Sequence, residues 1–184
     1  MQTPLKNKRN PLKHPEQRVG VFIDVQNMYY SAKNLYGQKV NFGNIVKEAV
    51  AGRKLIRAIA YVVKTESKEE QSFFEALYNL GIETREKDLQ VFSTGMKKAD
   101  WDVGLTVDAI RLSQSLDAVV IVSGDGDYLP LVEYLQKSAG KQVEVVAFGD
   151  TVSAKLTEAA DDFIDLGREK EKFLINSRRW SGDT

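Results

Sequence analysis

The 184-residue sequence contains no cysteine and a single histidine, His14. Without cysteine the chain cannot form a disulfide, a thiolate zinc site, an iron–sulfur cluster or a cysteine nucleophile. Acid–base catalysis by histidine is nearly excluded as well, because His14 lies in a segment that we expect to be disordered. These absences remove the chemistries that depend on sulfur or on imidazole.

Long apolar runs are also missing. The runs that occur are far shorter than the roughly 20 residues that a membrane-spanning helix needs, and the N-terminus has no apolar h-region of a secretory signal. We therefore expect a cytoplasmic protein that does not associate with membranes. With 42% hydrophobic and 28% charged residues, the composition is typical of one globular domain with a sizeable core.

The chain as a whole has no excess of either charge, since 26 basic side chains balance 26 acidic ones, but its parts differ. Residues 1–18 hold five basic side chains against one acidic, and residues 167–184 hold five against three. The body, 19–166, has a net charge of −6. The basic ends can hold a polyanion near the acidic body. Charged segments of this kind are as often simply exposed to solvent, without a binding role.

The N-terminal charge run coincides with Pro4, Pro11 and Pro15, which are spaced by Asn and Lys. This composition predicts that residues 1–17 form a disordered basic arm. Residues 167–184 are predicted to be a helical or frayed tail.

Between these ends, β-branched apolar runs alternate with segments of helical periodicity. Strands are predicted at 19–23, 55–63, 118–122 and 143–148, with weaker candidates at 82–85, 89–92 and 163–166. Helices are predicted at 27–35, 43–51, 67–80, 101–116, 129–138 and 153–159, and Ser67 with Glu70 has the pattern of a capping box. The alternation predicts right-handed crossovers and a mostly parallel sheet that is covered on both faces. The expected fold class is therefore α/β, a three-layer α/β/α domain over residues 18–166.

Carboxylates follow two of these strands. Asp24 comes directly after the first strand, and Asp125 and Asp127 come after the strand at 118–122. If the two strands are neighbours where the strand order reverses, these side chains converge at one edge of the sheet. The N-terminus of the helix that leads into the later strand brings Asp102 to the same edge.

Such a group of carboxylates favours a metal ion, because the charges repel one another unless a cation is present. Oxygen ligands suit Mg²⁺ or Mn²⁺ rather than zinc. Ions of this kind can activate water and stabilise both reacting oxygens of an in-line phosphoryl displacement. The polar side chain of Asn27, one helical turn past Asp24, can add a carbonyl ligand or a hydrogen bond to a phosphate.

Three motifs in this order resemble the NYN domain, and more narrowly its bacterial LabA-like branch within the PIN-like nuclease superfamily. They are Asp24-x-x-Asn27, Lys-x-x-Asp-x-Asp-Val-x-Leu-x-x-Asp over 97–108, and Ser-Gly-Asp-Gly-Asp-Tyr over 123–128. The resemblance covers about residues 18–166. It implies a PIN-like (Rossmannoid) sheet and metal-dependent hydrolysis of phosphodiester bonds, usually of RNA.

Matched motif by motif, the resemblance implies a catalytic and metal-binding quartet of Asp24, Asp102, Asp125 and Asp127. Asp108 matches a further acidic position, but it lies six residues after Asp102 and so off that face of the helix.

Residues assigned to substrate binding are Asn27, Ser123, Lys97 and Lys98. The two lysines suit a phosphate contact and equally a solvated loop. Gly124 would let a substrate backbone approach closely. Tyr29 and Tyr30 are able to stack on bases, with one of the two expected in the core.

Each carboxylate also has a purely structural interpretation. Asp24 can cap the helix after the first strand, Asp125 can shape the turn that follows its strand, and Asp102 can interact with a helix dipole. Asp100 is an alternative ligand to Asp102, or the residue that caps the helix. Convergence at the switch point favours a site over these interpretations.

The predicted function is a Mg²⁺- or Mn²⁺-dependent ribonuclease with RNA as its partner. The resemblance implies 5′-phosphate and 3′-hydroxyl products, and we expect an endonuclease, although nothing in the sequence separates internal from terminal cleavage. The alternative is an RNA- or protein-binding regulator on the same fold that cleaves slowly or not at all. An aspartyl-nucleophile phosphohydrolase is disfavoured, because residues 24–26 do not read Asp-x-Asp. The sequence is also compatible with a homo-oligomer.

Overall fold

A six-stranded parallel sheet lies at the centre of the protein, in a computed structural model that describes residues 13–65, 67–95 and 97–175. The strands are β1 Arg18–Asp24, β2 Lys39–Val40, β3 Lys54–Lys64, β4 Glu83–Asp88, β5 Gln90–Val91, β6 Lys97–Lys98, β7 Ala118–Val122, β8 Gln142–Ala147, β9 Asp162–Asp165 and β10 Leu174–Ile175. The helices are α1 Val25–Tyr36, α2 Phe42–Val50, α3 Lys68–Asn79, α4 Asp102–Ser113, α5 Leu129–Lys137, α6 Ala154–Ala159 and α7 Lys170–Phe173. Single 3₁₀ turns cover Gly126–Tyr128 and Leu166–Glu169.

The strands of the central sheet are ordered β4-β3-β1-β7-β8-β9, and all their pairings are parallel. The strand order therefore reverses between β1 and β7, which pair from Val19 opposite Ala118 to Ile23 opposite Val122. This confirms the expected α/β fold class. It also places the carboxyl ends of β1 and β7 side by side, as the sequence pattern required for its carboxylates to meet.

Both faces of the sheet are covered because alternate residues of each central strand are apolar on opposite sides. In β1, Val21 and Ile23 pack with residues of α1, α2, α3 and α7, whereas Phe22 packs with residues of α4, α5 and α6. The result is the three-layer arrangement expected for alternating strands and helices.

The helix α3 does not begin with the expected capping box. Ser67 makes no side-chain capping hydrogen bond, and the Glu70 carboxylate accepts instead from the N–H of Thr65, at 2.9 and 3.2 Å. The carboxylate thus binds a backbone N–H of the loop that follows β3, and this hydrogen bond connects α3 to the end of that strand.

The segment that holds Lys97 and Lys98 forms strand β6, which pairs antiparallel with β5. The side chains of these two lysines lie outside the described part of the structure, and their assignment to substrate binding stays a prediction.

Residues 13–17 lie against the body of the protein. Lys13 Nζ lies 3.0 Å from a carboxylate oxygen of Asp162, and the Lys54 N–H donates to the Gln17 carbonyl at 3.0 Å. Residues 1–12 and 176–184, which hold most of the predicted arm and half of the predicted tail, lie outside the described residues. In the part that the structure describes, no helix combines the length and the apolar character that crossing a membrane requires.

Candidate metal centre

Three carboxylates meet beyond the carboxyl ends of β1 and β7. One carboxylate oxygen from each of Asp102, Asp125 and Asp127 lies within 4.8 Å of the others. Asp102 is the first residue of α4, and the other two come from the loop and 3₁₀ turn that follow β7. The structure therefore brings together three of the four predicted carboxylates, here called the acidic triad.

Local hydrogen bonds explain why the chain after β7 adopts this shape. The Asp125 carboxylate accepts from the N–H of Asp127 at 3.0 Å, which closes the turn. The turn-shaping interpretation of Asp125 is thus correct, and it does not exclude a ligand role, because a carboxylate has several acceptor positions.

Asp24 lies behind the acidic triad, where only 8% of it is exposed. It caps α1 by accepting from the N–H of Asn27 at 3.1 Å. Its other oxygen lies 3.2 Å from the hydroxyl of Tyr128, and that hydroxyl lies 3.2 Å from Asp102 as well. A phenol has one proton to donate, so the two carboxylates share one donor.

Burial and mutual repulsion both disfavour charge at this site. Burial raises the pKa of Asp24, and the charge of Asp102 adds to the effect. The pKa of Asp102 is raised in turn by burial and by the charges of Asp125 and Asp100. Tyr128 remains protonated at all ordinary pH, because burial and the two neighbouring carboxylates raise its pKa. A cation would remove the cost of ionising these groups together.

The donor set fits a hard divalent cation. The acidic triad offers only carboxylate oxygens, and the sequence has no cysteine. Oxygen-only coordination is what Mg²⁺ and Mn²⁺ prefer and what zinc sites lack.

Asp102, not Asp100, joins the acidic triad. The expectation that Asp100 caps α4 is wrong, because the N-cap position is Trp101, which makes no side-chain capping bond. The indole N–H of Trp101 donates to the Val62 carbonyl at 2.9 Å, and its ring lies 5.4 Å from that of Tyr61. Trp101 thereby fixes the start of α4 over the end of β3.

Asn27 and Ser123 hold the site together from inside. The Asn27 side-chain carbonyl accepts from the N–H of Gly124 at 3.0 Å. Ser123 is fully buried, donates to Asp24 at 3.3 Å and accepts from the N–H of Asp125 at 3.2 Å. Both side chains connect the loop after β7 to the end of β1.

Packing within the protein favours glycine at position 124. A Cβ there would lie 3.1 Å from the Val152 Cα, so the loop after β7 runs tightly against the segment after β8. The expected close approach of a substrate is not needed to explain this glycine.

Asp108 belongs to a different group of side chains. It accepts from the Tyr61 hydroxyl at 3.0 Å and lies 3.6 Å from Arg85 and 3.4 Å from Arg111. The helical geometry of α4 turns it away from the acidic triad, as its spacing from Asp102 predicts.

Tyr128 is the functional residue that sequence reasoning missed. It lies at the end of the 3₁₀ turn that precedes α5, and it is fully buried. The overlooked signal is that a buried tyrosine needs a partner for its hydroxyl, and that this one follows Asp127 directly.

Tyr29 and Tyr30 are both exposed, at 45% and 50%. The expectation that one of them lies in the core is wrong, because the buried face of α1 consists of Val25, Met28 and Ala32.

Comparison with known proteins agrees with this geometry. Residues 18–167 match the family described as NYN domain. The chain is 28% identical over 158 residues to the "Low amplitude and bright protein LabA" of Synechococcus elongatus, a match that covers 81% of this chain and 83% of that protein. The crystal structure of a protein of unknown function from Vibrio parahaemolyticus superimposes with a TM-score of 0.80 at 29% identity, over 95% of this chain and 100% of that one. Since the family match spans the whole central sheet and the acidic triad, the chain belongs to the NYN domain family.

Proposed function

We propose that the protein is a Mg²⁺- or Mn²⁺-dependent ribonuclease that hydrolyses RNA phosphodiester bonds at the acidic triad. The observation that carries the proposal is the approach of Asp102, Asp125 and Asp127 to within 4.8 Å at the switch point of the sheet. Membership of the NYN family, which is similar to PIN-like nucleases, supports RNA as the substrate.

The residues divide into ligands and supports. Asp102, Asp125 and Asp127 would hold the cation, with Asp24 as the fourth carboxylate behind them. When bound, the cation stabilises the charge on the phosphate oxygens and makes water more acidic. Tyr128 keeps Asp24 and Asp102 in fixed orientations by its hydroxyl.

The loops that form the site are hydrogen-bonded to each other. Ser123 and Asn27 tie the loop after β7 to the end of β1 through the bonds described above. These hydrogen bonds hold the carboxylates close together before the substrate binds, which lowers the entropic cost of assembling the site during the reaction.

The test compares RNA cleavage by three proteins, each with Mg²⁺, with Mn²⁺ and with EDTA. These are the wild type, Asp125→Asn, and Asp88→Asn, which neutralises an exposed carboxylate on the edge strand β4. We expect metal-dependent cleavage by the wild type and by Asp88→Asn. Removal of a ligand costs more than removal of a group that only orients one, so Asp125→Asn should lower cleavage by more than about 100-fold.

A second measurement does not depend on activity. A bound cation stabilises the folded state, by about 2.7 kcal/mol at 100 times its Kd, so Mn²⁺ should raise the Tm of the wild type but not that of Asp125→Asn. Cleavage in EDTA, or equal cleavage by Asp125→Asn, would reject the proposal. Binding of RNA without cleavage in either metal would favour the alternative of a regulator.

A further inference from the structure

A cavity of about 520 Å³ opens between α1, α3 and the carboxyl end of β3. Its floor is apolar and includes Val40, Phe42 and Phe73, which belong to or pack against the core. The volume lies within the range of pockets that hold small organic groups. The chemistry proposed for the acidic triad does not involve an apolar cavity of this kind.

Two exposed tyrosines line this cavity. Tyr29 and Tyr30 lie on α1 with their ring centroids 5.4 Å apart and the ring planes at 73°. Neither contributes to the buried face of the helix. Exposed aromatic rings over an apolar floor provide the surfaces on which nucleobases stack.

Positive charge lies on the α1 side of the cavity. Lys33 Nζ lies 5.6 Å from the centre of the Tyr29 ring, and Lys39 is exposed nearby. Carboxylates lie on the α3 side, where Glu70 is already bound to the N–H of Thr65 and Glu69 is exposed. Phosphate groups would therefore follow the lysines, while bases face the tyrosines and the apolar floor.

The cavity and the acidic triad share the same edge of the sheet. Val25 and Gln26, which line the cavity, follow Asp24 directly. Val62 also lines it, and its carbonyl accepts from Trp101, the residue before Asp102. A nucleic acid strand that has a phosphate at the triad and follows this edge of the sheet would pass over the end of β3 towards the cavity.

We propose that this cavity binds an unpaired base of the RNA substrate, stacked on Tyr29 or Tyr30, next to the phosphate that the acidic triad receives. The choice of RNA rests on the proposed function. Bases in a duplex are paired and stacked on each other, so they cannot enter without being flipped out. The cavity therefore makes the protein selective for single-stranded RNA.

The test measures the binding of fluorescein-labelled single-stranded RNA to the full chain by fluorescence anisotropy, in EDTA so that no cleavage occurs. The variants are Tyr29→Ala, Tyr30→Ala and the conservative Tyr30→Phe. The matched control is Tyr134→Ala, since Tyr134 is also 45% exposed but lies on α5, on the opposite face of the sheet. Far-UV circular dichroism checks that each variant is folded.

We expect at least one of the two alanine variants at the cavity to weaken binding about tenfold, because the stacked base loses its aromatic partner. Tyr30→Phe and Tyr134→Ala should bind like the wild type. The same RNA annealed to its complement should bind more weakly and be insensitive to the substitutions. Wild-type binding by both alanine variants, or an equal loss in Tyr134→Ala, would overturn the inference. So would a wild type that does not bind single-stranded RNA in EDTA and neither binds nor cleaves it after Mg²⁺ is added.

The outcomes separate this inference from the proposed function. Weaker binding by the alanine variants, in a protein that never cleaves RNA with Mg²⁺ or Mn²⁺, would uphold the cavity and reject the ribonuclease. Metal-dependent cleavage by a wild type whose RNA affinity is unchanged in the alanine variants would do the reverse.

Discussion

The hydroxyl of Tyr128 lies between two carboxylates that would otherwise face each other without a donor. It is 3.2 Å from Asp24 and 3.2 Å from Asp102, inside a region that water does not reach freely. Hydrogen bonds to charged groups are among the stronger ones in proteins. The Tyr128 hydroxyl therefore adds to the donors from Asn27 and Ser123 that orient Asp24, and it links Asp24 to Asp102.

We expect Tyr128→Phe to lower the free energy of unfolding by about 1–3 kcal/mol, because both carboxylates lose their shared donor while the ring volume is kept. Urea denaturation followed by circular dichroism measures the change. Tyr134→Phe is the control, since that tyrosine is exposed on α5. Equal stability of Tyr128→Phe and the wild type would show that the hydroxyl does not hold the carboxylates.

At the scale of elements, the position of the acidic triad depends on where α4 begins. Trp101 fixes that point by its bond to Val62 and its packing on Tyr61. The next turn of α4 must leave room for the indole, and Gly104 provides it. A Cβ at position 104 would lie 2.6 Å from the Trp101 ring.

Gly104→Ala should therefore be destabilising by about 1–3 kcal/mol, as overpacking usually is, although alanine is the better helix former by about 1 kcal/mol. Thermal denaturation measures the loss, and a shift in tryptophan fluorescence reports the displaced ring. Gly43→Ala on α2 is a suitable comparison, because its Cβ would meet the flexible end of Leu80 at 3.2 Å and the Asn41 Oδ1 at an ordinary contact distance of 3.5 Å. A rise in Tm for Gly104→Ala would contradict this account of α4.

The start of β1 is tied to the loop before β7 by an ion pair. Arg18 donates to Asp117 with its guanidinium, at 2.8 and 3.1 Å, and with its backbone N–H at 2.8 Å. These bonds lower the pKa of Asp117 to about 2, below its ordinary value of 3.8.

Because the pKa of Asp117 is lowered on folding, the pair stabilises the protein above about pH 4, and the contribution disappears as the pH falls to about 2. We expect Asp117→Asn to be less stable than the wild type at neutral pH, with the difference shrinking over that acid range. Urea denaturation at a series of pH values tests this. A difference that stays constant with pH would mean that the charge of Asp117 is not responsible.

On the scale of the whole molecule, the two ends of the sheet have opposite characters. The three carboxylates of the acidic triad lie at the carboxyl ends of the strands. Among the residues that the structure describes, no cationic side chain is paired with them. Towards the amino ends, the buried Arg53 and Glu144 form a bidentate pair at 2.7 and 2.9 Å. Arg53 also donates to the carbonyls of Ala49 and Val50 at the end of α2. The pair thus connects α2 to β8 far from the proposed chemistry.

Arg53→Met should lower the free energy of unfolding by up to about 3–5 kcal/mol, because the buried Glu144 carboxylate loses its bidentate partner. It keeps the Lys13 ammonium at 3.7 Å and the Gln142 side-chain amide at 2.7 Å. The double variant Arg53→Met with Glu144→Leu should recover much of the loss, since it buries no charge. Chemical denaturation of the single and double variants compares them, and divalent-metal binding by the folded protein should be unchanged. A double variant that is less stable than Arg53→Met alone would show that the pair contributes more than mutual neutralisation.

Much of this protein is determined by local sequence pattern. The strand at 118–122 and the parallel α/β class follow from short-range periodicity, because apolar side chains must face a core at the spacing of their element. Asp24 at the end of one strand and Asp125 shortly after another were predicted to lie at one edge of the sheet, and β1 and β7 are indeed neighbours. The capping of α3 could not be predicted from the sequence, because the Glu70 carboxylate binds the N–H of Thr65, and the position of that loop depends on the fold.

The sequence by itself determined the chemical type of the candidate site, which has carboxylate oxygens and cannot have a thiolate. Only the tertiary structure decided which groups meet. In the structure, Asp102 rather than Asp100 lies in the acidic triad. The Tyr128 hydroxyl lies between two carboxylates, and Tyr29 and Tyr30 are exposed beside a cavity. The reason is physical: composition and periodicity depend on neighbours along the chain, whereas contacts between α1, α4 and the end of β7 arise from packing across the sheet, which no local pattern encodes.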